Sequence, residues 1–231
     1  MKTVLIKLSG ESLSGEYGHG FDFSYMRSVC QRIKEIHNEG LNVAIVCGGG
    51  NFMRGRDAKE MNRERADYIG MMATLMNALA LKDVFMSLGV SVYNQSGLSI
   101  SIMDDINVDK INDAFNERKI IVFGGGTGKP YFSTDTGAAI RAKDIQADMI
   151  IKLTNVDGVY DKDPHKYEDA IMYDEVTFDE VIEKELGVMD LSAMEICKDN
   201  NIEIVVTNID NENALKDIVN GKKIGTRVYN K

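Results

Sequence analysis

Three segments of this chain share one construction: an apolar strand pattern that gives way to small residues. They are Lys7-Leu8-Ser9-Gly10 after residues 3–6, Gly48-Gly49-Gly50-Asn51 after residues 41–47, and Gly124-Gly125-Gly126-Thr127-Gly128 after residues 120–123. Glycines let an anion approach the backbone N–H groups, which is how a protein cradles phosphate with few side chains. One such run is as readily a plain turn. Three runs at equivalent ends of parallel strands would line a single ligand crevice. The third run continues Lys129-Pro130-Tyr131-Phe132-Ser133-Thr134-Asp135. It has the outline of a Walker P-loop but fails its requirements. Phe123 stands where the first glycine belongs, and Pro130 follows Lys129 in place of Ser or Thr. The chemistry implied is phosphate handling on another scaffold.

Charged residues near these runs sharpen the reading. Lys7 ends an apolar strand pattern; it either snorkels to solvent or aims a cation at a transferring phosphoryl group, and the Ser-Gly after it favours the second. Arg54 follows the second run, as a surface residue or as a planar donor to phosphate oxygens. Asp67 is four residues from Arg63, the spacing of a surface helical ion pair. Facing a crevice, the same carboxylate could accept two ribose hydroxyls. Asp157, Asp161 and Asp163 lack the order of an EF-hand loop, and Asp163-Pro164 reads as a turn.

The elements that must position these residues alternate. Strand patterns occupy residues 2–8, 41–47, 91–94, 119–123, 149–153, 202–206 and 224–228. Helical patterns occupy about 23–38, 63–88, 107–118, 134–146, 177–185, 190–200 and 211–219. Met26, Val29, Cys30, Ile33 and Ile36 share one face of the first helix, and Met71, Met72 and Met76 read as core packing in the long second helix. Residues 9–22 and 154–160 read as loops or turns. Alternation of this kind predicts βαβ units, and so an α/β fold with a mostly parallel sheet covered on both faces. A division near residue 150 would separate two halves that each carry strand-end loops.

Composition bounds the partners. The net charge of −9 argues against general nucleic-acid binding and requires any positive potential to be local. The 3 cysteines are widely spaced and form no CxxC pair, and the 3 histidines form no ligand cluster; a reducing compartment fits. No apolar run reads as long enough to cross a bilayer. The opening residues show no leader pattern, so a cytoplasmic setting is expected, with neither nucleic acid nor membrane as a partner.

Further motifs complete a pattern: Lys7-Leu8-Ser9-Gly10-Glu11-Ser12-Leu13, Gly48-Gly49-Gly50-Asn51-Phe52-Met53-Arg54-Gly55, Met61-Asn62-Arg63 leading to Asp67, and Gly70-Met71-Met72-Ala73-Thr74-Leu75-Met76-Asn77. The run from Thr127 to Asp135, Thr154-Asn155-Val156-Asp157-Gly158-Val159-Tyr160, and Val188-Met189-Asp190-Leu191 follow. With these, nearly the whole chain resembles the bacterial uridylate kinases of the amino acid kinase superfamily. The glycine-rich strand ends are shared across that superfamily; the Met-Asn-Arg helix and the Thr-Gly-x-Pro-aromatic-Phe run are more specific to uridylate kinases.

The resemblance implies a three-layer α/β/α sandwich forming one domain over residues 1–231, with an acceptor-side lobe of about 1–150 and an ATP-binding lobe of about 151–231. It implies transfer of the ATP γ-phosphoryl group to UMP, giving UDP and ADP in pyrimidine nucleotide biosynthesis. Lys7, Leu8, Ser9, Gly10, Gly50 and Arg54 would hold the ATP phosphates, with Thr154, Tyr160 and Asp163 at the nucleotide end. Gly49, Asp67, Thr127, Gly128, Lys129, Pro130, Tyr131, Phe132, Ser133 and Thr134 would hold UMP. Lys7, Arg54, Asp135 and Asp190 would be the catalytic set, the two carboxylates orienting Lys7. Mg²⁺ would come with ATP, without a directly assigned protein ligand. A homohexamer is implied, with GTP as an activator acting near residues 15–20 and UTP as an inhibitor. Two rivals stand beside this: a kinase of the same fold acting on a carboxylate or carbamate, and a nucleotide sensor without turnover.

Overall fold

The computed structural model describes residues 2–53 and 60–231; Arg54 and Gly55, named above, lie outside the described residues. Among the described residues a nine-stranded sheet forms the middle layer, in the order β4-β3-β5-β2-β1-β6-β10-β11-β9. Its strands are β1 (Thr3–Leu8), β2 (Asn42–Cys47), β3 (Val92–Ser96), β4 (Asp104–Asp105), β5 (Ile120–Gly124), β6 (Met149–Thr154), β9 (Glu175–Thr177), β10 (Glu203–Asn208) and β11 (Thr226–Tyr229). A separate hairpin pairs β7 (Val159–Tyr160) with β8 (Met172–Tyr173). Every pairing in the large sheet is parallel except β10 with β11. This is the expected three-layer α/β sandwich.

Central strands are buried on both faces, so they read as unbroken apolar runs. Alternate residues feed two cores. One packs Val4, Ile6, Ile45 and Ile151 against α1 (Phe23–Asn38), α2 (Arg63–Ser87) and α7 (Ala214–Val219). The other packs Leu5, Val46, Phe123 and Ile150 against α3 (Val108–Asn116), α4 (Thr134–Asp144), α5 (Phe178–Glu183) and α6 (Leu191–Asp199). Asp22, Asn62, Asn107, Ser133, Thr177 and Asp190 cap α1 to α6 in turn, each accepting a first-turn amide.

The structure departs from the sequence expectations in several places. The loop after β1 contains a 3₁₀ helix, Glu11–Tyr17. The strand expected at 91–94 is β3, which extends to Ser96 and pairs with the unanticipated β4. The methionines of α2 split: Met71 is buried, while Met72 and Met76 are exposed. By length and composition α2 could cross a bilayer, contrary to the reading of its sequence, but half of its apolar stretch is buried inside the fold. It lies on α1, β3 and β5 as a core helix.

Candidate active site

Strands β5, β2 and β1 are parallel neighbours, so the three glycine-rich turns emerge side by side at one edge. There a cleft of about 410 Å³ opens. Ser9, Gly10, Glu11 and Gly48 to Gly50 line one side; Gly126, Thr127, Lys129, Phe132, Ser133 and Thr134 line another. Arg63, Ala66, Asp67, Gly70, Met71 and Thr74 of α2 form the wall, and Lys7 reaches in from β1. Helix α4 begins at Thr134 in this cleft, so its unpaired N-terminal amides and dipole favour an anion there.

The turns lie close enough to exclude side chains. A Cβ on Gly10 would stand 2.4 Å from the Gly48 carbonyl oxygen and 2.5 Å from the Gly50 nitrogen. Gly128, at φ +77°, packs its backbone on that of Gly97, where a Cβ would meet the carbonyl oxygen at 2.1 Å. Helix α2 holds two of the turns. Thr74 Oγ1 accepts from the Gly125 N–H at 2.8 Å. Asn77, fully buried, donates to the Gly48 carbonyl at 2.7 Å and exchanges amide hydrogen bonds with Asn51 at 2.9 Å each way.

Lys7 Nζ lies 2.7 Å from Asp135 Oδ1, with side chains only 12% and 18% exposed, so it does not snorkel to solvent. Asp135 also meets Lys152, whose Nζ is 3.2 Å from Oδ2. Burial alone would raise the Asp135 pKa, but the ammoniums of Lys7 and Lys152 outweigh it and hold the carboxyl below its usual range. Burial pushes Lys152 below the usual lysine range despite Asp135. Cys47, buried at the end of β2, has its thiol pushed up to about 12 by desolvation, which makes it a core residue and not a nucleophile.

Asp67 occupies both positions that its spacing allowed. Its carboxylate pairs with Arg63 Nε at 2.9 Å, yet its side chain is only 13% exposed and lines the cleft. It also accepts from the Tyr131 N–H at 2.8 Å, which ties α2 to the turn before α4. Tyr131 has φ +69° and an exposed ring.

Other expected site residues lie elsewhere. Leu8 is a fully buried core side chain, and Gly128, Pro130 and Tyr131 are outside the cleft lining. Asp190 does not pair with Lys7; it caps α6 and accepts from the Ser133 and Thr136 hydroxyls. Thr154 ends β6 beside β1, on the same sheet edge, while Tyr160 sits in the β7–β8 hairpin. Asp163 accepts from the His165 N–H and pairs with Lys166 in an exposed turn, which keeps its carboxyl below the usual range. Among the described residues no group of three His, Cys, Asp or Glu could cage a metal.

The model of the amino acid kinase family matches residues 2–208. The chain belongs to the amino acid kinase family. Solved structures narrow the likeness. UMP kinase from Bacillus anthracis superposes with a TM-score of 0.96 at 31% identity, over 100% of this chain and 96% of that one. UMP kinase from Ureaplasma parvum gives 0.92 at 37% identity, over 99% and 98%. Uridylate kinase from Archaeoglobus fulgidus gives 0.78 at 28%, over 99% and 100%.

Sequence reasoning passed over Lys152, Thr74 and Asn77. For Lys152 a signal existed: Ile151-Lys152-Leu153-Thr154 nearly repeats Ile6-Lys7-Leu8-Ser9. Thr74 and Asn77 stood within the Gly70–Asn77 motif without an assigned role, because a helical polar residue declares its partner only through the fold.

Proposed function

We propose that this chain transfers the γ-phosphoryl group of ATP to UMP, releasing UDP and ADP. The observation that carries the reading is that Lys7 shares one cleft with glycine turns, the α4 N-terminus and the largely sheltered Asp67. The full-length likeness to UMP kinases supplies the substrate class. The UMP phosphate is anionic near neutral pH, so no strong general base is needed. Catalysis then reduces to alignment and charge stabilisation.

In this reading Lys7, Ser9, Gly10, Gly50 and Arg54 hold the donor phosphates and Lys7 follows the transferring group. Leu8 contributes only backbone. Gly49, Asp67 and residues 127–134 hold UMP, with Asp67 taking ribose hydroxyls after releasing Tyr131 or Arg63. Thr154, Tyr160 and Asp163 serve the far end of ATP, in a lobe of about 151–231 set against an acceptor lobe of about 1–150. Asp135 orients Lys7, while Asp190 acts one step further out by fixing Ser133 at the α4 cap.

Mg²⁺ suits this donor set as a passenger on ATP: Asp135 is already taken by two lysines, and Asp190, hydrogen-bonded to the cleft-lining Ser133, is the carboxylate that could reach the ion through water. Bound there, the ion would neutralise phosphate charge. Tyr68, Met72, Met76, Leu79 and Met86 lie exposed on α2, an apolar stripe suited to contact between subunits of a homohexamer. Regulation by GTP and UTP, a cytoplasmic setting and a place in pyrimidine nucleotide synthesis belong to the same reading.

The test is ADP release with UMP, CMP, aspartate, glutamate and carbamate offered separately with Mg-ATP. UMP should give the highest kcat/KM; turnover on a carboxylate or carbamate alone would replace the reading with the rival kinase.

A further inference from the structure

Lys152 stands directly opposite Lys7 in the parallel register of β1 and β6. Both side chains leave the same face of the sheet, the one carrying Leu5 and Ile150, and both reach Asp135. Lys152 also donates to the Val188 carbonyl, two residues before Asp190. Its side chain is 15% exposed and does not line the cleft.

Two ammoniums on one carboxylate make little sense as a stabilising device. Lys7 with Asp135 alone would be neutral, and a second cation drawn out of water adds a desolvation penalty that an apolar residue would avoid. The arrangement makes sense if a further negative charge arrives. Val188 supplies the second clue, because its carbonyl leads into the turn whose Asp190 fixes Ser133 and Thr136 at the start of α4. One side chain thus grips the two segments that flank the α4 N-terminus.

We propose that Lys152 is a positioning residue for phosphoryl transfer: it clamps Asp135 Oδ2 and the Val188 carbonyl, so that Asp135 aims Lys7 and the two ammoniums on one carboxylate present a net positive charge to the incoming phosphoryl group. The inference rests on the kinase reading above. It differs from a core role in what it predicts for stability, since deleting Lys152 leaves a neutral Lys7–Asp135 pair.

The test compares full-length wild type with Lys152→Met, which lacks charge and donors, and Lys152→Arg, which keeps both. Lys152→Met should lower kcat by about 10²-fold, the scale of a misaimed reacting group, and leave the UMP KM within about threefold. Its thermal midpoint should not fall below that of wild type, and Lys152→Arg should regain part of the lost turnover. The Asp135 carboxyl carbon, followed by ¹³C NMR, should titrate at higher pH in Lys152→Met, because one of its two cations is gone. A Met variant that turns over like wild type overturns the proposal, and so does one that fails to fold while the Arg variant folds. If wild type makes no UDP, the kinase reading fails; an unmoved Asp135 titration separately removes Lys152 from any control of that carboxylate.

Discussion

Replacing Asp135 by Asn removes the only carboxylate within ion-pair reach of Lys7 and Lys152 among the described residues, at 2.7 and 3.2 Å. The three side chains are 12–18% exposed, so solvent cannot take over its role. Breaking a buried pair from one side costs about 3–5 kcal/mol, because the remaining charge is stranded. For a domain of this size each kcal/mol moves Tm by about 2–4 °C, so a fall of about 6–20 °C is expected at pH 7. The pH dependence follows from the same groups. Wild-type Asp135 has a depressed pKa, so its contribution is present above the unfolded carboxyl pKa and is lost as pH falls through the folded value. In Asp135→Asn that contribution is gone, and Lys152, already pushed down by burial, loses the carboxylate that held it up. The unfolded lysine then binds more protons than the folded one, so the variant gains stability as pH rises towards about 10. Urea denaturation of wild type and variant at pH 7 and 9.5 measures both effects. A loss below about 1 kcal/mol, the worth of an exposed pair, or a gap that widens at pH 9.5 would show that Asp135 does not hold the two lysines as a buried pair.

Lys7→Met should lower kcat by about 10²–10³-fold with little change in the UMP KM, read by coupled ADP release. Lys152 still neutralises Asp135 there, so the fold should hold; near-normal turnover would take Lys7 out of the chemistry. Asp67→Ala should raise the UMP KM and spare kcat, and an unchanged KM would leave Asp67 only as the partner of Arg63. Thr74→Val strands the buried Gly125 N–H at a cost of about 1–3 kcal/mol, whereas Thr74→Ser keeps the acceptor. Equal denaturation midpoints for those two variants would contradict that role.

Much of this fold was legible because its central strands are buried on both faces. Residues 4–6, 43–47 and 120–123 are unbroken apolar runs, and the glycines after them mark where the chain must turn in close quarters. The strands β4, β7, β8 and β9 were not legible, since two or three residues carry no period. The exposed face of α2 was misread because methionine suits a core and an unpaired surface alike. At the site, Lys7 stood out as the lysine closing an apolar strand, and its partner in the next strand did not, although the sequence repeats the motif. Adjacency of β1 and β6 comes from topology: some 140 residues separate the two strands, and only the sheet order brings Lys152 beside Lys7. Asp190 was placed on Lys7 and is found instead on Ser133 and Thr136, where capping chemistry at α4 and α6 holds it.

Transfer of a phosphoryl group from ATP to UMP in this cleft can be followed directly. Incubating the purified chain with γ-³²P-labelled Mg-ATP and UMP, then separating the nucleotides, tests it in one step. Label should appear in UDP, formed in equal amount with ADP and abolished when UMP is omitted. Label released only as inorganic phosphate, or transferred to carbamate or an amino acid while UMP stays untouched, would contradict it.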